Sequence, residues 1–301
     1  MADIWQNGMI HLKNKRFSGE QIVSAVAALV LLASMVACGE VVDPVSAFVE
    51  DFDGADTVSY MVFQNELPDP YENLVSSDSV SEDPRQQMGA NLRSARAINS
   101  DSKAWLYVPN TAIYDVVLQS SDNDYYLRRN VYRNWTLYGC YFADYRVSFE
   151  AGKLSRNIVI YGHAFSDNPE GMLFAQYRRY LDVEFARSNP VIYLTTKDQE
   201  YRFQVFAIFY SDLNFYYWDV NATQANLKTI ISEAKLRSQL NFNVSVVSTD
   251  TILTLSSCTY QFGNRDDQRC VLMARLIPEG ERVPTTNNTI TANPNPKRPT
   301  F

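Results

Sequence analysis

Past Trp105 the chain becomes a succession of short runs rich in β-branched and aromatic residues, divided by polar clusters. This pattern limits the fold more than any other feature of the sequence. The runs cover residues 112–118, 157–161, 191–196, 201–209, 251–255 and 270–276, and each has the length and composition of a strand. One segment among them differs. Within 223–240, Leu227, Ile230, Ile231, Ala234, Leu236 and Leu240 recur at the spacing of one helix face. Another helix is expected over 86–98, where Met88, Leu92, Ala95 and Ile98 fall on one side. The expected architecture is mainly β: a closed antiparallel β-barrel with N-terminal helices and a long helix before the final strands. The 19 Tyr and 16 Phe against 11 Gly fit strands better than a glycine-rich nucleotide-binding fold.

The first part of the chain reads differently. Lys13, Lys15 and Arg16 precede an uncharged apolar run from Ile22 to Cys38, about 17 residues, at the short end of the membrane-spanning range. Basic residues before such a run keep the N-terminus cytoplasmic and send the rest outward. The expected organisation is a cytoplasmic N-terminus (1–20), a single transmembrane anchor (21–38), an acidic spacer with a helical region (39–98), a catalytic domain (99–278) and a disordered tail (279–301). A cleaved signal peptide is the alternative to the anchor. A lipoprotein signal ending Met35-Val-Ala-Cys38 is another. The tail is rich in Pro, Thr and Asn, which is the basis for reading it as disordered.

Charge and cysteine usage exclude several classes. The net charge of -7 gives no global basic field, so nucleic acid is not an expected partner. The four cysteines, Cys38, Cys140, Cys258 and Cys270, contain no Cys-x-x-Cys pair, which excludes a zinc ribbon or a thioredoxin-type motif. Cys140 and Cys270 read as buried thiols. The histidines are His11 and His163, and only His163 follows the apolar run.

Cys258 ends the run Thr251-Ile-Leu-Thr-Leu-Ser-Ser-Cys258, and His163 follows Ile158-Val-Ile-Tyr-Gly162. A thiol at the end of a buried strand can be held rigidly while its sulfur faces a groove. It attacks a carbonyl as thiolate, with an imidazole as the usual helper. Three arginines follow the cysteine. If the strands ending at Cys258 and beginning near Cys270 are antiparallel neighbours, Arg269 stands level with Cys258. Arg275 is then about 20 Å away, six residues at about 3.3 Å each. Arg265, between Asn264 and Asp266-Asp267, reads as one half of a solvated ion pair. Asp144 reads as a structural acid at a strand end. Tyr216, Tyr217 and Trp218 are candidates for a groove wall or for packing.

These segments resemble the sortases, and within them class B. Thr254-Leu-Ser-Ser-Cys258 is similar to the cysteine strand of that family, and Asn157-Ile-Val-Ile-Tyr-Gly-His163 to its histidine segment. Asn99, Asp101 and Trp105 resemble the opening of the class B catalytic domain. Tyr114-Asp-Val-Val-Leu-Gln119, Asp122-Asn-Asp-Tyr-Tyr-Leu127, Gly139-Cys-Tyr-Phe-Ala-Asp-Tyr-Arg146 and Lys235-Leu-Arg-Ser238 continue the likeness. It covers roughly residues 98–277. One departure is Ser257, where the family usually has threonine; the hydroxyl is kept. The segment Ser166-Asp-Asn-Pro-Glu-Gly171 reads as slightly enlarged.

The resemblance implies a sortase-type barrel and an extracytoplasmic cysteine transpeptidase. Such an enzyme cleaves a C-terminal sorting motif of secreted proteins through a thioacyl intermediate. It then passes the acyl group to an amine of a cell-wall precursor or a pilin. It implies Cys258 as nucleophile, His163 as acid and base, and Arg269 as the electrostatic helper. Ser257 and Tyr217 are the candidate substrate contacts. Neither an organic cofactor nor a metal is implied, and the membrane is a partner through the N-terminal helix. Three other readings compete with this one. An L,D-transpeptidase holds its cysteine and histidine in one compact motif, whereas these lie about 95 residues apart. A papain-like peptidase has its cysteine on a helix ahead of its histidine. An idle surface scaffold is the third, and it would have lost one of the three site residues.

Overall fold

The computed structural model describes residues 83–263 and 265–301. The expected cytoplasmic segment and membrane anchor lie outside them, as does most of the spacer. The described part begins with α1 (Arg85–Ile98) and the strands β1 (Ser102–Tyr107), β2 (Tyr114–Leu118), β3 (Tyr141–Ala143) and β4 (Asn157–Tyr161). A 3-10 helix (Leu173–Leu181) and α2 (Val183–Ser188) lead into β5 (Val191–Thr196) and β6 (Glu200–Ser211). The rest is α3 (Gln224–Arg237), β7 (Leu240–Asn241), β8 (Ile252–Cys258), β9 (Arg269–Leu276) and β10 (Thr291–Ala292).

Eight of these strands close into a barrel in the order β1-β2-β3-β4-β8-β9-β6-β5. The barrel is closed as expected, but it is not wholly antiparallel. β2 and β3 run parallel, and so do β4 and β8. A parallel neighbour requires a long crossover. Residues 119–140 and 162–251 are those crossovers, and they carry most of what surrounds the site.

Apolar faces explain the helices. α1 buries Met88, Leu92 and Ala95 against Trp105, Val116, Leu118 and Phe142. Ile98, expected on the same face, is exposed because the helix ends there. α3 begins at a Thr223 cap, whose side chain accepts from Asn226 N, and buries Leu227, Ile230, Ile231 and Ala234. Leu236 falls on the opposite face and is exposed, and because the helix stops at Arg237, Leu240 belongs to β7. Buried Arg237 bridges Asp212 (3.1 Å) and Glu233 (2.8 Å), which ties the end of α3 to the end of β6.

Residues 279–301, expected to be disordered, are packed on the domain. β10 pairs with β7. Ile290 is fully buried, Asn287 N donates to Arg187 O, and Asn293 Nδ2 donates to Ser238 O. Thr300 N reaches the carboxylate of Asp212. Asparagine side chains and backbone amides hold this strap, with one buried isoleucine as its apolar anchor.

Candidate active site

The site forms where β4 and β8 leave the barrel. Their parallel register pairs Tyr161 with Ser256, and Gly162 N donates to Ser256 O at 3.3 Å. His163 and Cys258 are each two residues beyond that pair, so they emerge at the same end of adjacent strands. Gly162 makes the approach possible. A Cβ there would stand 2.8 Å from the rings of both Phe174 and Tyr141. On the other side β8 and β9 are antiparallel, and their register pairs Cys258 with Arg269. Arg275 pairs with Ile252 at the far end of β8 and is held by Glu281. Arg265 pairs with Asp267 at 2.5 Å.

Cys258 is half-buried and carries a free thiol. Cys140 and Cys270 are also free, and burial pushes both thiols up, Cys270 to about 11. His163 is half-buried, with its ring stacked on Phe165 at 5.4 Å. Burial lowers its pKa; the carbonyl of Leu127 opposes this, and the cation of Arg128 adds to it. Both neighbours meet Nε2, Leu127 O at 2.8 Å and Arg128 Nη1 at 3.1 Å. They ask opposite things of that nitrogen. With a proton, Nε2 donates to Leu127 O; without one, it accepts from Arg128. The ring therefore has a partner in either protonation state. Arg269 donates from Nη1 to Asp266 O (2.6 Å) and Gln268 O (2.9 Å). Those bonds fix the guanidinium at the mouth of the loop joining β8 to β9.

Two expected substrate contacts are instead interior. Ser257 is 3% exposed, and its hydroxyl lies 2.8 Å from that of Tyr177, which donates to Cys270 O. Side chains alternate along a strand, so presenting Cys258 outward turns Ser257 into the barrel. Tyr217 is 1% exposed, shares a 2.8 Å hydrogen bond with Ser256 Oγ and packs against Phe209, Phe215 and Trp218. Burial pushes its phenol up to about 12. Tyr216 is the exposed member of that trio and accepts from Arg146. Asp144 is fully buried and bound by Arg146, Asn123 and Tyr161, as a structural acid would be.

Three residues of this corner carry no sequence signal that would single them out. Arg128 reaches His163, while Asp167 and Arg178 lie against the backbone after Cys258. Each reads in sequence as an ordinary surface charge.

A family model described as a sortase domain matches residues 106–277. Sortase B of Listeria monocytogenes is 30% identical over 216 residues, covering 71% of this chain and 83% of the relative. Sortase B of Staphylococcus aureus is 29% identical over 188 residues, covering 62% and 74%. Among solved structures, a Staphylococcus aureus sortase B–substrate complex superimposes with a TM-score of 0.56 at 26% identity, over 63% of this chain and 85% of that one. Sortase B from Listeria monocytogenes gives 0.53 at 33% identity, over 62% and 99%.

Proposed function

The chain belongs to the sortase family as a class B cysteine transpeptidase, and from that premise we propose that Cys258 is its nucleophile, His163 its acid and base, and Arg269 its oxyanion-stabilising cation. The observation that carries the assignment is register: His163 leaves β4 beside Cys258, and Arg269 is the β9 partner of Cys258.

The thiolate of Cys258 adds to the carbonyl of a threonine in a C-terminal sorting motif of a secreted protein. Collapse of the adduct breaks the C–N bond, and His163 protonates the departing amine. The resulting thioester is resolved by a second amine, from a cell-wall precursor or a pilin lysine, which gives its proton to His163. Arg269 faces the oxyanion in both additions with a planar fork of donors. The lowered His163 pKa leaves its imidazole neutral at pH 7, ready to take the thiol proton. The enzyme works on the outer face of the cell membrane, anchored by residues 21–38. Those residues lie outside the described part, and among the described residues no helix is long and apolar enough to cross a membrane.

The test is to incubate the enzyme with a panel of sorting peptides, with and without amine acceptors, and to follow products by mass spectrometry. Single-turnover acylation is then compared in Arg265→Ala, Arg269→Ala, Arg269→Lys and Arg275→Ala. Loss of one oxyanion donor costs about 3 kcal/mol, or about a hundredfold in rate. Near wild-type acylation by folded Arg269→Ala, with failure of Arg265→Ala or Arg275→Ala, defeats the assignment.

A further inference from the structure

Arg178 is one of two adjacent arginines on the 3-10 helix, yet its side chain is only 1% exposed. A cation that deep is costly unless fully paired. Its guanidinium donates Nη2 to the carbonyl of Cys258 (2.5 Å), Nη1 to the carbonyl of Phe174 (3.2 Å) and Nε to Asp167 Oδ1 (3.0 Å). Asp167, four residues after His163, in turn accepts from Thr259 Oγ1 (2.7 Å) and from Tyr260 N (2.8 Å). The ion pair thus holds three consecutive residues, 258–260, from beneath.

The same helix also holds the histidine. Phe174 N donates to His163 O at 3.1 Å. A short path therefore runs from the His163 carbonyl through Phe174 to Arg178, and from Arg178 to the Cys258 carbonyl. The strand ladder alone does not provide it, because β4 stops at Tyr161 and β8 stops at Cys258. Beyond those ends the loops would be free to separate.

We propose that Arg178 and Asp167 are positioning residues of the transpeptidation site, a buried ion pair that locks the nucleophile to the histidine loop and sets the local charge around the thiol. This rests on the reading of Cys258 as nucleophile. Rigid placement matters because a misplacement of about 1 Å at a reacting atom can cost about a hundredfold in rate. Charge matters because the pair puts a cation on the backbone of Cys258 itself, with its anion one step behind.

The two roles of the pair predict opposite responses. In Arg178→Met the Asp167 carboxylate is left without its cation against residues 259 and 260, next to Cys258 in the chain, which disfavours thiolate. In Asp167→Asn the guanidinium is left unneutralised, which favours it. Loosening of the fold would move both variants the same way. The other titratable or charged groups around this corner are Arg128, His163, Tyr177, Tyr217, Tyr260, Arg269 and Cys270. Burial pushes Tyr217 up to about 12 and Cys270 to about 11, and it raises Tyr177 and Tyr260. Burial pushes all four toward their neutral forms and lowers the pKa of His163.

The experiment measures, on the full chain, the pH dependence of Cys258 alkylation by iodoacetamide, with the labelled site mapped by mass spectrometry. Peptide turnover and thermal melting are measured alongside. Wild type, Arg178→Met, Arg178→Lys and Asp167→Asn are compared. The expected result is an alkylation profile moved to higher pH in Arg178→Met and to lower pH in Asp167→Asn. Turnover should fall by about tenfold or more in Arg178→Met, with KM little changed and partial recovery in Arg178→Lys, which keeps the charge and loses the fork. If Arg178→Met does not fold, the near-isosteric Asp167→Asn and the charge-conserving Arg178→Lys decide. Profiles that coincide with wild type, or that shift in one direction in every folded variant, overturn the proposal. If Cys258→Ala itself still turns over peptide, the nucleophile assignment fails instead, and the two failures are distinct.

Discussion

Replacing Gly162 by alanine isolates the packing on which the histidine's position depends. Gly162 is buried and does not have a positive φ, so alanine is acceptable to its backbone. The obstacle is space. The added methyl would stand 2.8 Å from Phe174 Cδ2, 2.8 Å from Tyr141 Cδ1 and 3.0 Å from Phe174 Cε2. These rings stack on each other at 4.5 Å and are almost wholly enclosed, so neither can swing into solvent. Overpacking of this kind costs about 1–3 kcal/mol. Losing glycine's freedom in the unfolded chain returns about 0.4–1 kcal/mol. At mid-range, about 2 less about 0.7, the net loss is about 1.3 kcal/mol. At about 2–4 °C per kcal/mol for a domain of this size, the melting temperature should fall by roughly 3–5 °C. The next residue is His163, so turnover should fall much further, by about tenfold to a hundredfold if the imidazole moves by about 1 Å. Calorimetry and peptide cleavage on the same preparation read both effects. Adding Phe174→Leu should relieve the clash and return part of the activity, though not the stability of the lost ring. An alanine variant that melts and turns over like wild type would falsify the claim that glycine is there to admit the ring stack.

Further substitutions test other parts of the structure. Cys258→Ala should abolish acylation, while Cys140→Ala and Cys270→Ala, whose thiols are raised by burial, should keep most of it in a thioester-trapping assay. Arg128→Met removes one of the influences that lower His163, so the ring should titrate at higher pH. NMR of the two histidines in the chain can follow this, and an unchanged titration refutes the contact. The sign for stability follows. A folded-state value lowered below the ordinary 6.5 means that the unfolded chain takes up the proton first as pH falls through 6.5. The fold therefore loses stability in acid, and Arg128→Met should lose less between pH 7 and pH 5. Ile290→Asp places a carboxylate where a side chain is fully buried, and should cost about 2 kcal/mol or more and expose residues 279–301 to protease. If wild type is already cut there at the same rate, the strap is not docked.

Strand existence was legible because it rests on local composition. Segments 157–161 and 191–196 are β4 and β5 to the residue, and the expected run 201–209 lies inside β6. Strand direction was not legible, because parallel and antiparallel strands share one side-chain period. The strap is illegible in sequence for a related reason. A composition of Pro, Thr and Asn signals disorder only when burial of apolar surface is the sole way to hold a chain. Here Asn287, Asn293, Asn241 and Asn243 hold it by donating side-chain amides to carbonyls. Cys258 and His163 stood out as reactive types at strand ends. Arg178 did not, because nothing in Tyr177-Arg-Arg-Tyr180 tells which arginine points inward: Arg178 is 1% exposed and Arg179 30%.

The unexpected strand direction is also what the proposed chemistry requires. Suppose β4 ran antiparallel to β8, as a wholly antiparallel barrel would have it. The C-terminal end of β8, where Cys258 lies, would then face the start of β4 at Asn157. His163 would sit six residues further on, about 20 Å away at about 3.3 Å per residue. An imidazole cannot exchange a proton with a sulfur across that gap; it needs hydrogen-bond reach or one bridging water. Parallel pairing instead pairs Tyr161 with Ser256 and delivers both reactive residues to one rim. The antiparallel return of β9 brings Arg269 to the same rim from the other side. With the proposed nucleophile and base on parallel neighbours and the proposed cation on the antiparallel one, all three residues fall at one end of the barrel. The long crossover 162–251 that makes the parallel pairing possible also supplies Asp167, Tyr177 and Arg178 to brace it from below.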